Sequence, residues 1–466
     1  GRDVTRGWYL LRVKKRFSGE LRALAGLSLP LIIGQLAHSG VGFTDTVTVG
    51  RLGSMELAAV ALGASVYFFL FIFCSGVLFS VAPSVSQAYG ADEPDGMVLA
   101  VRQGVWLALF LAIPIVVLLN NAEPFLLLTG QDAAVAAQAA SYLKVISLGF
   151  IPMILTVALR GFLEGTGDTR PLMYILVGGL LVKIALNAVL LTGRGPFPEL
   201  GIRGAAFASA CVYVTEFLAA AYYISRRHRH LRVLVRLGPP HRRMLSELIR
   251  VGIPIGFTVG FESGLFTVAA FLMGRFGAEE LAAHQVAVAS TSMAFNIPLA
   301  LGLATAVRVG QNVGRNAAPA AALSAGTGVV AALSVMCVTA LTFLLFPAQV
   351  TGLYLDTGDP GNAGVIAWAI TFLGYSAMFQ LADGAQVAAA GALRGYKDTA
   401  VPMVISLFSY WVVGLGGGLL FAFRGGMGPA GIWLGLAGGL TFAAVLLGLR
   451  LRWRVRQPLR RRVVTG

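Results

Sequence analysis

The sequence predicts an all-α polytopic membrane protein of twelve transmembrane helices, built as two six-helix halves repeated in one orientation. Three observations carry this prediction. The 466 residues are 57% hydrophobic and 12% charged, with a mean hydropathy of +0.78, whereas a soluble domain carries roughly 25% charged residues. Twelve apolar segments each approach the roughly 20 residues that a spanning helix needs. The second half of the chain repeats motifs of the first. The same composition excludes an ordinary cytosolic enzyme and a disordered chain. The 58 glycines follow no Gly-X-Y period, so collagen is excluded too.

The spans are expected near 24–49, 57–82, 97–119, 139–159, 172–192 and 204–225 in the first half. The second half gives 248–273, 281–306, 320–346, 365–391, 400–423 and 429–449. Turn-forming runs separate them, such as Asp92-Glu93-Pro94-Asp95, Arg194-Gly195-Pro196, Asp359-Pro360-Gly361 and Arg424-Gly425-Gly426. An even number of spans puts both termini and the central loop on one side. Of the 36 Lys and Arg, 29 fall on that side and five on the other, with Lys144 and Lys183 inside spans. The positive-inside rule makes the basic side cytoplasmic. This clustering between apolar stretches, rather than nucleic-acid binding, accounts for the net charge of +15. No cleavable signal peptide is expected, because residues 1–23 are polar and basic and lead straight into the first span. Leu10, Leu11, Val13, Phe17 and Leu21 fit one face of a short interfacial helix, with a solvated tail as the alternative. Cys74, Cys211 and Cys337 lie in apolar runs without Cys-x-x-Cys spacing and read as small core residues.

The repeat is legible residue by residue. Residues 50–59 (GRLGSMELAA) and 274–283 (GRFGAEELAA) agree at seven of ten positions, at an offset of 224. That offset also pairs Pro30 with Pro254, Gln87 with Gln311 and Gly90 with Gly314. Residues 161–173 and 391–403 agree at six of thirteen, at an offset of 230. Six spans per half make the repeat parallel, about an axis along the membrane normal. The expected divisions are a basic tail (1–23), an N-terminal lobe (24–225), a basic linker (226–247), a C-terminal lobe (248–450) and a basic tail (451–466). Paired six-span bundles suit an enclosed transport path, although a duplicated scaffold would give the same pattern.

Four acids fall inside spans: Asp45, Glu216, Glu262 and Asp383. An ionised side chain at mid-bilayer costs about 2.5–3.5 kcal/mol on insertion scales, so such groups face water or a partner. Each can bind a proton, ligate sodium or pair with an organic cation; a structural ion pair is the alternative. No GxxxxGK[ST], HExxH or GxSxG motif occurs, so ATP hydrolysis within the chain, and enzymatic activity generally, is not expected.

The runs GFTDTVTVGRLG (42–53), LAAHQVAVAS (281–290), ATAVRVGQNVG (304–314) and AAAGALRGYKDT (388–399) resemble the multidrug and toxic compound extrusion (MATE) family, in its NorM-like branch. The resemblance covers about residues 24–450. It implies two six-helix lobes around a central cleft. It implies antiport, in which inward protons or sodium drive export of hydrophobic, often cationic organic compounds across a bacterial inner membrane. The partners are then small-molecule drugs and the lipid bilayer, with no nucleic acid, no cofactor beyond the coupling ion, and a monomeric chain.

The resemblance assigns roles to particular residues. Asp45 matches the first-helix acid, and Glu262 and Asp383 match acids on helices seven and ten, with sodium at Glu262 and Asp383 as one option. His38 shares a helix face with Asp45, stands where an amide is expected, and titrates near neutrality. By the repeat offset it corresponds to Glu262. Asn187 is expected to offer an amide oxygen towards Asp45. Lys183, where the family often carries an amide, either neutralises Asp45 or snorkels to the interface. Pro30 is a candidate hinge, or else a proline in the first helical turn. Gln285 is expected to touch substrate or to cap its helix. Phe261, Phe266, Phe295 and Phe379 could stack on flat cations, or simply pack. Asp356 and Asp359 are candidate contacts in the outer loop. Phe379 also stands where a tyrosine is expected, which removes an oxygen from any sodium site. Gln87 and Gln311 read as structural. The rival function is a flippase for lipid-linked saccharide precursors, which needs cations along its path to hold pyrophosphate.

Overall fold

The computed structural model describes residues 2–50, 54–191, 200–234 and 237–459, with side chains from residue 15 onward. The Arg194-Gly195-Pro196 turn and Arg51 lie outside the described residues. Twelve helices among the described residues are long and apolar enough to cross a membrane. We number them α1 (Lys15–Val49), α2 (Met55–Gly90), α3 (Pro94–Asn120), α4 (Ala133–Thr166), α5 (Arg170–Leu190), α6 (Gly201–Arg227), α7 (Arg242–Met273), α8 (Ala278–Gly314), α9 (Ala318–Leu345), α10 (Pro360–Gly395), α11 (Ala400–Arg424) and α12 (Pro429–Arg456). They coincide in order and place with the twelve expected spans. No strand occurs among the described residues. Large apolar side chains such as Phe43, Phe271 and Leu344 are exposed on the spans, as a hydrocarbon solvent permits.

Two expectations change. The first helix starts at Arg2 and runs unbroken to Val49, so the basic N-terminal segment extends the first span instead of forming a separate interfacial helix or a loose tail. Pro30 is therefore inside a helix and not in its first turn. The cysteines are free as expected, but only Cys74 is buried; Cys211 is intermediate and Cys337 exposed.

The chain divides into two compact units, Pro30–Gly256 and Gly1–Leu29 with Phe257–Gly466. The divisions fall inside α1 and α7, at or near the repeated prolines Pro30 and Pro254, rather than in the basic linker. Each half of the repeat thus gives the opening of its first helix to the other unit. Glu20 shows what this does within the second unit: its carboxylate takes two hydrogen bonds from Arg308 of α8, at 2.8 and 2.6 Å, and one from Ser324 of α9 at 2.7 Å. In the first unit the linker lies against α3. Arg102 donates to the carbonyls of Val233 and Arg232, and Trp106 to that of Gly238.

The repeated motifs are mainly packing devices. Gly161 and Gly165 of α4 lie against Val81 and Val85 of α2, and their counterparts Gly391 and Gly395 of α10 lie against Gly302 and Val309 of α8. The repeated acid of each motif ties down the last helix of its half. Asp168 accepts from Tyr223 at 2.8 Å and lies 3.5 Å from His228. Asp398 pairs with Arg450 of α12 at 2.8 Å. Burial holds the His228 imidazole below the usual histidine range, against the pull of Asp168.

One helix departs from regular winding. In α11 the residues Phe408–Gly416 and Leu420–Arg424 form π-helical turns. Such turns are rare and collect at functional sites. The seam against α12 accommodates them: Gly431, Gly435 and Gly439 stack every fourth residue against Ala422, Gly418 and Gly414. Small residues at this spacing let two membrane helices meet backbone to backbone. A Cβ at Gly435 would overlap the Gly418 backbone, whereas one at Gly438 would meet nothing within 4 Å. Gly435→Ala should therefore cost about 1–3 kcal/mol of stability, the usual range for overpacking. Gly438→Ala should be neutral or slightly stabilising. Thermal unfolding of the two purified variants checks the contrast.

Candidate functional site

Each unit carries a buried polar cluster around acids of its spans, and the two are built differently. In the unit Pro30–Gly256, the centre is Asp45 on α1. Lys183 of α5 is fully buried and places its Nζ 2.6 Å from Asp45 Oδ1. The same ammonium donates to the Ala205 carbonyl of α6 at 2.8 Å and to Ser209 Oγ at 2.5 Å. Ser209 in turn reaches Asp45 Oδ2 at 3.3 Å. Of the two roles expected for Lys183, neutralisation is the one the geometry has: it does not snorkel.

Asn187, one turn along α5 from Lys183, donates its amide nitrogen to Asp45 Oδ1 and to Thr48 Oγ1, each at 2.9 Å. The sequence expectation had its oxygen facing the acid. A carboxylate only accepts, so the amide presents its nitrogen, and Asn187 Oδ1 is left buried without a partner among the described residues. His38 does not join this cluster. Its ring packs on Phe71 of α2, with centroids 5.6 Å apart. Glu216 on α6 is buried against Gly179 of α5, and its Oε1 also lacks a partner.

In the second unit, Glu262 of α7 and Asp383 of α10 are brought together by a residue that sequence reasoning missed. Gln386 donates its amide nitrogen to Asp383 Oδ1 at 3.0 Å and to Glu262 Oε1 at 3.4 Å. Its oxygen accepts a 2.6 Å bond from the hydroxyl of Tyr410. Tyr410 fixes which way the amide points, so both carboxylates share one NH₂ group. Gln386 stands three residues after Asp383, which puts both on one helix face; that spacing was the available signal. Tyr410 had none, because its aim depends on the π-turn of α11. Among the described residues no group of three or more His, Cys, Asp or Glu is arranged to hold a metal ion.

The other expected site residues take no part in the Gln386 bridge. Phe379 is fully buried and stacks on Trp433 of α12 at 6.2 Å, so it packs the core rather than lining a surface. Gln285 is exposed on α8, while its neighbour His284 is buried against Trp433. Phe261 and Phe295 are half-buried, and Phe261 stacks on Phe257 at 5.7 Å. Asp356 is exposed and accepts from the Gly358 amide at 2.9 Å, and Asp359 caps the short helical turn Pro360–Asn362 that opens α10.

The MatE family profile matches residues 30–189 and 254–420. The two matched segments begin at the repeated prolines. The chain belongs to the MatE family. It is 40% identical to the probable multidrug resistance protein NorM of Deinococcus radiodurans, over 94% of this chain and 96% of that one. It is 39% identical to the multidrug resistance protein PmpM of Pseudomonas aeruginosa, over 96% of this chain and 94% of that one. The fold matches the eukaryotic MATE transporter AtDTX14 with a TM-score of 0.84 at 22% identity, covering 96% of this chain and all of that one. It also matches an outward-facing multidrug resistance MATE transporter with a TM-score of 0.86 at 21% identity, over 95% and 97% of the two chains. As a MatE protein with twelve apolar helices, the chain is a multi-pass membrane protein.

The ion pair makes a stability prediction. Removing one partner of a buried pair strands the other charge, at about 3–5 kcal/mol, whereas removing both is far less costly. Asp45→Asn should therefore lower the melting temperature of the purified protein more than the double variant Asp45→Asn/Lys183→Met does. Equal losses in both would mean that Lys183 does not depend on Asp45.

Proposed function

We propose that this MatE protein is a multidrug efflux antiporter that exports hydrophobic, often cationic organic compounds in exchange for protons, by alternating access. The observation that carries the coupling reading is the Glu262–Gln386–Asp383 bridge. Two carboxylates from two spans share one amide donor, and the Arg394 guanidinium acts on Glu262; one cation for two acids leaves a second ionised carboxylate poorly compensated there. A proton or an organic cation supplies that compensation. If each displaces the other, exchange follows without both being bound at once. The linkage is reciprocal: outside acidification weakens drug affinity by the factor by which drug weakens proton affinity.

Several features favour protons over sodium. A sodium ion needs several hard oxygen donors. Here Gln386 turns its NH₂ and not its oxygen toward the two carboxylates, and Phe379 offers no oxygen and belongs to the core. Asp45 is matched by Lys183 and so has little use for a free ion. The flippase alternative is disfavoured by the same pair, because the fully buried lysine is engaged and not free to hold pyrophosphate. The charge asymmetry of the loops supports a bacterial inner-membrane orientation with both termini cytoplasmic. Pro30, at the division between the units, is the hinge candidate, and a monomer suffices for the mechanism.

In sodium-free proteoliposomes, an imposed pH gradient should drive efflux of a fluorescent organic cation. Glu262→Gln or Asp383→Asn should abolish gradient-driven efflux while leaving a folded protein, and Tyr410→Phe should weaken it by roughly tenfold, about the worth of one hydrogen bond. Efflux that appears only with sodium and ignores the pH gradient would overturn the proton reading.

A further inference from the structure

The unit Pro30–Gly256 buries three acids inside its spans, Asp45, Glu164 and Glu216. Two of them are answered by cations. Asp45 has Lys183 at 2.6 Å, and Glu164 has Arg160, one turn back along α4, with Nε 2.6 Å from its Oε1. Glu216 of α6 is only 4% exposed, and its Oε1 is buried without a partner among the described residues. The carboxyl group lies against Gly179 of α5, where any β-carbon would overlap it.

The charged and titratable groups around Glu216 are already committed. On α4, the Arg160 charge acts on Glu216, but its Nε is bonded to Glu164. On α5, Lys183 stands one turn from Gly179 and is held by Asp45, the Ala205 carbonyl and Ser209. On α1, His38 packs on Phe71 and also feels the Arg160 charge, so a protonated imidazole would be repelled there and supplies no third cation. On α6 itself, Tyr213 stacks on Tyr67 of α2 with centroids 6.4 Å apart. Further along α6, Tyr223 and His228 face Asp168.

We propose that Glu216 is a proton-binding site of its own, holding a resident proton that is not exchanged for cargo and that completes the charge balance of the Pro30–Gly256 unit. Three buried acids against two cations leave one negative charge over. Away from water and without a partner, a carboxyl group avoids that charge by keeping its proton. Its burial against Gly179 also keeps a cargo cation from it, so the site goes beyond the coupling reading and does not depend on it. The balance has an alkaline limit. Once the proton is stripped, Glu216 and Glu164 compete for one guanidinium, and the loser is a stranded buried charge. Glu164 stands at the inner end of α4, where its carbonyl accepts from the Gly167 amide at 2.9 Å. Asp168, next in the chain, holds Tyr223. Drawing Arg160 from Glu164 therefore disturbs the turn that ties α4 to α6.

The test is infrared difference spectroscopy of purified protein, unmutated minus Glu216→Gln, so that the other acids cancel. At neutral pH the difference should contain the carbonyl band of one protonated carboxyl group, fading as the pH is raised. Glutamine keeps the shape and neutrality of the protonated acid. Glu216→Gln should therefore fold, transport at the unmutated rate whichever ion drives efflux, and lose less melting temperature than the unmutated protein on going to alkaline pH. Glu164→Gln frees Arg160 for Glu216, so the band should vanish from that variant although Glu216 is intact. Carboxylate bands in place of the acid band would overturn the proposal. So would a Glu216→Gln protein that does not fold at neutral pH, or one that folds and no longer transports. Persistence of the acid band in Glu164→Gln would overturn the sharing of Arg160. If Glu164→Gln gives no folded protein, the first comparison still decides where the proton is. Failure of the coupling reading is separately visible, as efflux by the unmutated protein that needs sodium and ignores the pH gradient.

Discussion

A charge inside a hydrocarbon layer must be answered by another group, and the structure is organised around how two clusters meet that demand. The Asp45 carboxylate is answered within the chain, by Lys183 at 2.6 Å and by Asn187 and Ser209. The Glu262 and Asp383 carboxylates are answered incompletely, by one shared amide and, at Glu262, by the charge of Arg394. The pseudo-symmetric halves have therefore diverged in the property that matters most for moving ions. One half is closed electrostatically, and the other is left open to a proton or a cationic cargo. This asymmetry, more than the fold, carries the functional reading, because the same fold serves proteins of differing chemistry.

The rest of the molecule positions these side chains. Hydrophobic burial offers little drive between helices in lipid, so close packing of small residues does more of the work. The glycines of α4 and α10 against α2 and α8, and the Gly431–Gly435–Gly439 ladder against α11, are the clearest cases. That ladder lets α11 run close to α12 through its π-turns, from which Tyr410 reaches Gln386. A glycine seam thus bears on the orientation of an amide several residues away, and through it on both carboxylates.

Much of the architecture was legible in the sequence. All twelve spans, their order and the duplication follow from apolar length, turn residues and two motif offsets. The place where the chain divides was less legible. The basic linker looks like the boundary by composition, yet the units exchange helix openings at Pro30 and near Pro254, because contact partners and sequence repeats are different properties. The sequence pointed to residues whose chemistry is costly in a membrane, and the fold gathers several of them. Asp45, Lys183, Asn187, Glu262 and Asp383 all enter polar clusters. Side-chain direction was less legible where it depends on rotation about a helix. Phe379 points into the core, His38 faces Phe71, and the amide of Asn187 is turned the other way round. Gln386 could have been found from its three-residue spacing to Asp383. Tyr410 could not, since a π-turn shifts the helical register and leaves no mark in hydrophobic periodicity.

The central claim is that Glu262 and Asp383 trade a proton for a cationic cargo. The most direct measurement is proton release from purified, weakly buffered protein on addition of an organic cation, followed with a pH-sensitive dye. The account predicts release by the unmutated protein that saturates with the cation and is absent from Glu262→Gln/Asp383→Asn. Release that persists undiminished in that double variant would contradict it.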